Sequence, residues 1–348
     1  MNRYFIIALM LLLALMLNAQ LPELPITEYD YHQPQNAISP VAIGMGGINI
    51  TNANDFYASY DNPALLASNL RSTLALSYRL VNSEQMNFLQ MMQFSNALND
   101  KQVKYFTLTT KGGAVSYQPV SSIHISQWDA SGINSQYYDY QLDKWQLSLG
   151  VKDPDRQLLS GGMSLKYLTG RLVYLKERRS GNSFIREAFI DDKVKGFSAD
   201  LGFTIDQGDF IWAAAFYDLF SKLYWENYDA KSLQRRSAIG FEYHKGDLSL
   251  LAGTQYKIDK EPEPTFHFGM VQNWNWQSGS TSREAANDQS LILRLGMYSK
   301  DFYGTGNINY TLGSGYYYNM FRFDFALTNQ GMKLKDSEYL FSIGVGLQ

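Results

Sequence analysis

The chain has no cysteine, so neither a disulfide framework nor a cysteine metal site can hold it together. After its N-terminal stretch it has no apolar run near the roughly 20 residues that a membrane-crossing helix needs, which excludes a helical membrane protein. Charge of one sign is missing too. A formal net charge of −3 over 348 residues gives no reason to expect a nucleic-acid partner. The four histidines, His32, His124, His244 and His267, have no metal-ligand spacing. Neither a GxSxG elbow nor a Walker loop occurs. No catalytic residue, metal site or cofactor is nominated, and the chain is not read as an enzyme. Asp191-Asp192 and Glu261-Pro262-Glu263-Pro264 could hold calcium at a loop, but solvated charge at a turn is the commoner use of such pairs.

What is present is aromatic. Aromatic residues make up 15% of the chain, with 25 tyrosines and 20 phenylalanines, which favours strands. Residues 1–19 read as a cleaved secretory signal: Arg3 supplies the positive start, residues 4–17 the apolar core, and Leu17-Asn18-Ala19 the cleavage context before Gln20. The apolar run is short for an uncleaved anchor. Residues 20–71 form a proline-punctuated lead-in (Pro22, Pro25, Pro34, Pro40) followed by a compact knot at 42–67. There Gly44, Met45, Gly46 and Gly47 allow close turns. Asn52, Asn54 and Asp55 suit turns that bond to their own main chain. Asn62 is placed to cap a helix that starts at Pro63 and Ala64. Such a knot is either a plug enclosed by the strands C-terminal to it or a loop and short helix capping a soluble domain.

From residue 72 onward a period of two takes over. Leu74, Leu76 and Tyr78 oppose Thr73, Ala75, Ser77 and Arg79; Trp145, Leu147 and Leu149 oppose Lys144, Gln146 and Ser148. The same pattern recurs at Phe197–Asp206, at 265–274, at 321–328 and in the last strand. Many of these runs approach the 9–11 residues of a tilted membrane strand rather than the 5–6 of ordinary sheets. Tight turns at Lys111-Gly112-Gly113, Gln207-Gly208-Asp209 and Lys245-Gly246-Asp247 alternate with longer segments at 82–103, 129–137, 174–193 and 221–232. Short turns on one side and long loops on the other is the pattern of a transmembrane antiparallel β-barrel. About fourteen strands are predicted over 72–348, including 209–220, 304–312 and 316–328. The segment 277–289 is long for the short side. Closure pairs every backbone group without disulfides. Trp128, Tyr137, Tyr138, Trp274, Trp276 and Tyr316–Tyr318 are placed as interfacial girdles.

Gly44-Met45-Gly46-Gly47, Ala53-Asn54-Asp55 and Tyr60-Asp61-Asn62-Pro63-Ala64-Leu65 together resemble the N-terminal signature of the FadL superfamily of outer-membrane proteins, closest to its PorV/PorQ branch. Ile48 and Asn54 depart from the usual pattern. The resemblance implies an outer-membrane barrel of fourteen strands with the N-terminal hatch in its lumen. It also implies one of two roles: passage of small hydrophobic molecules or service in type IX protein secretion. The partners expected are therefore membrane lipids, a small hydrophobic ligand or secretion-system proteins.

Two further groups of residues are candidates. Met86, Phe88, Met91, Met92 and Phe94 could present an adaptable surface to a greasy ligand or a partner; a loop helix packed over the barrel mouth is the plainer account. Arg79, Lys144, Lys166, Asp200, Glu242, Arg294, Arg322 and Asp324 fall on the lumen face. Burial requires such charges to be paired, so they either line a pathway or hold one another and the plug.

Overall fold

The computed structural model describes residues 38–69, 71–80, 103–129, 131–155, 158–258, 264–278, 287–299, 308–330 and 337–347. The expected signal at 1–19, the start of the expected lead-in and the methionine-rich set Met86, Phe88, Met91, Met92 and Phe94 lie outside these residues.

Among the described residues, fifteen strands are present: β1 Ser72–Leu80, β2 Val103–Thr110, β3 Gly113–Trp128, β4 Asn134–Lys152, β5 Leu159–Ser180, β6 Ser183–Asp206, β7 Phe210–Tyr217, β8 Lys222–Trp225, β9 Arg236–Lys245, β10 Leu248–Lys257, β11 Thr265–Ser278, β12 Asn287–Ser299, β13 Asn309–Tyr318, β14 Phe321–Gln330 and β15 Glu338–Leu347. Each of fourteen pairs with its neighbours, β1 joins β15 from Ser72↔Leu347 to Leu80↔Tyr339, and β5 joins β6, so the antiparallel ring closes. The extra strand, β8, pairs with β6 from Val194↔Trp225 to Phe197↔Lys222.

The sidedness of the wall is that of a transmembrane barrel. Trp145, Leu147 and Leu149 are 51%, 48% and 53% exposed, while Lys144, Gln146 and Ser148 between them are 2%, 2% and 0% exposed. The same inversion holds on β6 (Phe203 out, Thr204 in) and β14 (Phe323 out, Asp324 in). A soluble sandwich buries its apolar face; this wall buries its polar one. Leu149→Arg, within the apolar outward run Trp145–Val151 of β4, should therefore destabilise the barrel in vesicles by about 2–4 kcal/mol, measured by urea unfolding against the parent.

The boundaries correct the sequence-based expectation in four places. Gly313-Ser314-Gly315 is not a turn but the middle of β13; the chain reverses at Asn319-Met320, with Asn319 at φ 53°. The predicted strand 209–220 stops at Tyr217, where Asp218 at φ 58° breaks the ladder before β8 resumes pairing with β6. The supposed loop at 174–193 is strand: β5 and β6 are 22 and 24 residues long and meet at a turn carrying Gly181. The long segment on the short side shrinks to residues 279–286, because β11 and β12 pair out to Ser278↔Asn287.

By compactness the chain divides in two. Among the described residues, those within 38–122, 141–171 and 193–348 form one unit, and those within 123–140 and 172–192 form the other. Within the smaller unit, the main chains of Arg179 and Ile133 bond at 2.7 Å, the rings of Trp128 and Phe184 lie 5.7 Å apart, and Lys176 pairs with Glu187 at 3.1 Å. Of the residues placed in the girdles, Trp274, Trp276, Tyr316 and Tyr318 do face outward at 37–43% exposure. Trp276 Nε1 and Tyr316 OH both donate to Gln289 Oε1. Tyr138 is buried and Tyr317 points inward, beneath the guanidinium of Arg322; neither belongs to a girdle.

Candidate functional site

Residues 38–66 are buried almost throughout, and their partners are the inward-facing side chains of the strands. A short helix, Pro40–Gly44, is capped by Ser39, whose Oγ accepts from the Ala42 amide at 3.1 Å. Gly46 and Gly47 follow at φ 81° and 80°, a left-handed double step that a side chain would strain. Asn62 caps the 3-10 turn Pro63–Ser68 through Oδ1 to the Ala64 amide at 3.0 Å. Its Nδ2 donates to the carbonyl oxygens of Ile50 and Phe203 at 2.8 and 3.3 Å. One asparagine thus closes a turn, holds the segment to itself and ties it to β6.

Asp55 is the segment's internal clasp. Its Oδ2 accepts from Ser39 Oγ at 2.9 Å and Asn49 Nδ2 at 2.6 Å, and its Oδ1 from the Tyr57 amide at 3.2 Å. Burial pushes its carboxyl above the ordinary aspartate range, against the pull of Arg322.

The wall is shaped to receive this segment. On strand after strand a glycine faces inward where the segment passes. A Cβ on Gly269 would stand 2.5 Å from the Met45 carbonyl oxygen, on Gly253 2.6 Å from Ile48 Cδ1, on Gly313 2.9 Å from Gly44 Cα and on Gly150 2.6 Å from the Pro63 carbonyl oxygen. On Gly296, Gly202 and Gly162 it would overlap the Gly46 amide nitrogen, Asn62 Oδ1 and the Pro63 carbonyl carbon. Gly269 and Gly296 face each other directly in the β11–β12 register. Gly313, expected in a turn, is therefore a seat for Gly44. Between the glycines four small apolar clusters join segment to wall: Ile48 and Ile50 with Ala213, Ala215 and Ala238; Ile38 and Tyr57 with Ala75 and Tyr105; Val41 and Met45 with Leu251 and Val271; Ile43 with Ala326 and Leu340.

The polar partners fall into groups. His267 donates from Nδ1 to the Gly46 carbonyl at 2.6 Å and stacks on Tyr298; Gly46 N donates to Thr311 Oγ1, which donates to the Gly44 carbonyl. Thr51 donates to Glu242 Oε2 at 2.6 Å, Glu242 Oε1 lies 3.3 Å from His244 Nε2, and His244 Nδ1 lies 2.8 Å from Ser249 Oγ. No spacing in the sequence announces this serine–histidine–carboxylate chain. It ends on Thr51 and so fastens the segment to β9 and β10. Arg322 donates to the Asn54 carbonyl and to Asp324, which also pairs with Arg294 at 2.9 Å. Lys166 bridges Asp200 at 2.6 Å and Asp218 at 3.0 Å. Because Ser198 Oγ also donates to Asp218 and Asp200 accepts from the Asp218 amide, this cluster pins the break between β7 and β8. Lys144 lies 4.8 Å from the Tyr60 ring centre, and Arg79 pairs with Glu338 at 3.1 Å.

Beside the segment, toward the end of the wall that carries the tight turns at Gly246 and Asn319, opens a cavity of about 1210 Å³. Its lining includes the polar Asn54, Asp55, Glu242, Asn273, Arg294 and Arg322 and the apolar Phe56, Val271, Ile292, Met320, Phe321 and Leu347.

No family model matches the chain, and no curated protein matches it. Among solved structures, the toluene transporter TbuX of Ralstonia pickettii is similar at 13% identity and a TM-score of 0.51, covering 90% of this chain and 100% of the other. The CymD monoaromatic hydrocarbon channel is similar at 12% identity and a TM-score of 0.51, covering 89% and 98%. The chain shares the barrel fold of these structures.

Proposed function

We propose that this chain is an outer-membrane channel of the FadL type that lets small hydrophobic molecules cross, with residues 42–67 as its plug. The observation that carries the proposal is the glycine-lined seat: a transmembrane wall whose inner face is relieved, strand by strand, to fit a segment of its own chain. TbuX and CymD, described as a toluene transporter and a monoaromatic hydrocarbon channel, support the cargo class by their shared fold. The cavity, whose wall is part polar and part apolar and which opens at the short-turn end, suits an exit vestibule. Residues 52–54 are the least buried part of the segment and border that cavity, so moving them breaks fewer contacts than moving residues 40–48. The short-turn end faces the periplasm in this orientation.

Deleting residues 42–67 is expected to raise leakage of small solutes from liposomes carrying the barrel; unchanged permeability would sink the plug. Mass spectrometry of gently purified protein should find an apolar small molecule. Recovery of large secretion components instead, with no such molecule, would favour the PorV/PorQ-type role in type IX secretion.

A further inference from the structure

On the outward face of β6, positions 197–205 carry Phe197, Ala199, Leu201, Phe203 and Ile205, an apolar run about as long as a tilted strand needs to cross the hydrocarbon. The alternation continues beyond it, but the chemistry changes: Lys195 and Lys193 take the next two outward positions, both exposed. The extra strand β8 lies against this point. Tyr224 stands opposite Lys195 and Lys222 opposite Phe197, which makes the two lysines diagonal neighbours within side-chain reach. Phe197 and Tyr224 lie 6.2 Å apart, and the Lys222 ammonium is 5.7 Å from the Tyr224 ring centre. Phe220, just before β8, is 71% exposed. Glu226, whose amide donates to the Lys193 carbonyl, sits beside Lys193. Among the described residues, neither Lys195 nor Lys222 forms an ion pair.

Two ammonium groups without a carboxylate, set on aromatic rings at the upper edge of a lipid-facing surface, ask for an anion at one depth only. We infer that Lys195 and Lys222, with Phe197, Phe220 and Tyr224, bind the phosphorylated headgroup of an outer-leaflet lipid, its acyl chains lying along the apolar face below. The break at Asp218 serves this site: by ending β7 and letting β8 pair with β6, it brings Lys222 and Tyr224 beside Lys195. The site is on the outside of the wall and is independent of the plug.

The test is native mass spectrometry of the purified full-length barrel titrated with diphosphorylated lipid A, dephosphorylated lipid A and inorganic phosphate. Lipid A should bind the parent; K195E/K222E should weaken binding about tenfold or more, K195Q/K222Q should weaken it less, and K111E, at the opposite rim, should leave it unchanged. Equal binding of dephosphorylated lipid A, or an unaffected K195E/K222E, would overturn the site. Equal occupancy by inorganic phosphate would overturn the lipid as its source. Should the charge reversal fail to fold, the glutamine pair carries the same comparison.

Discussion

Asp324→Ala is expected to lower the stability of the barrel by about 3–5 kcal/mol, the cost of stripping a buried charge pair of one partner. Arg294 and Arg322 are each 2% exposed and Asp324 4% exposed, and one carboxylate serves both guanidinium groups. Without it, two buried cations face each other. Arg322 keeps the Asn54 carbonyl and the rings of Phe56 and Tyr317 at 5.1 and 4.5 Å; Arg294 has less to fall back on. Removing the arginine as well, in R294M/D324A, should therefore recover part of the loss, a coupling that a double-mutant cycle reads directly. Urea unfolding followed by heat-modifiable gel migration supplies the measurement. A loss below about 1 kcal/mol would mean that water reaches the cluster and screens it.

The wall was legible in the sequence because period two carries both the strand and its sidedness. Trp145 to Leu149 and Phe321 to Thr328 announce which side is oily without any reference to tertiary structure. Glycine was legible only in part, because it has two uses in a strand: it allows a turn, and it lets another backbone approach closely. Gly246 turns the chain at φ 61°, whereas Gly313 and Gly315 make room for Gly44 and for the Arg294–Asp324 pair. Composition cannot separate these uses; inward parity within a long strand can. Gly150, Gly162, Gly202, Gly269 and Gly296 all occupy inward positions, a signal that becomes visible once the strands are registered. The extension of β5 and β6 through 174–193 was hidden because many of its residues, Lys176 to Arg179, Arg186, Glu187, Asp191 and Asp192 among them, have the polarity of loops while pairing as strands. The Asn62-Pro63-Ala64 turn was readable locally, since its cap needs only adjacent residues. What Asn62 does for β6 requires a partner 141 positions away.

Gly161 and Gly162 turn that distinction into an experiment. They are adjacent in β5 and so share strand propensity, depth and neighbours along the chain. A Cβ on Gly161 meets nothing within 4 Å, while one on Gly162 meets the backbone of Pro63 and Ala64, with Pro63 O at 2.5 Å. Backbone cannot rotate aside as a long side chain can, so Gly162→Ala must shift the Asn62-Pro63-Ala64 turn off the wall. Overpacking of this kind costs about 1–3 kcal/mol, which in a two-state equilibrium raises the displaced population about 5- to 150-fold. In liposomes Gly162→Ala should accordingly leak small solutes faster by a factor in that range, and Gly161→Ala should match the parent. Adding Gly162→Ala to a barrel already lacking residues 42–67 should change nothing further, because the backbone it strikes is gone. If the two alanine variants leaked alike, the segment would not be seated on the wall, and the glycines would need another explanation.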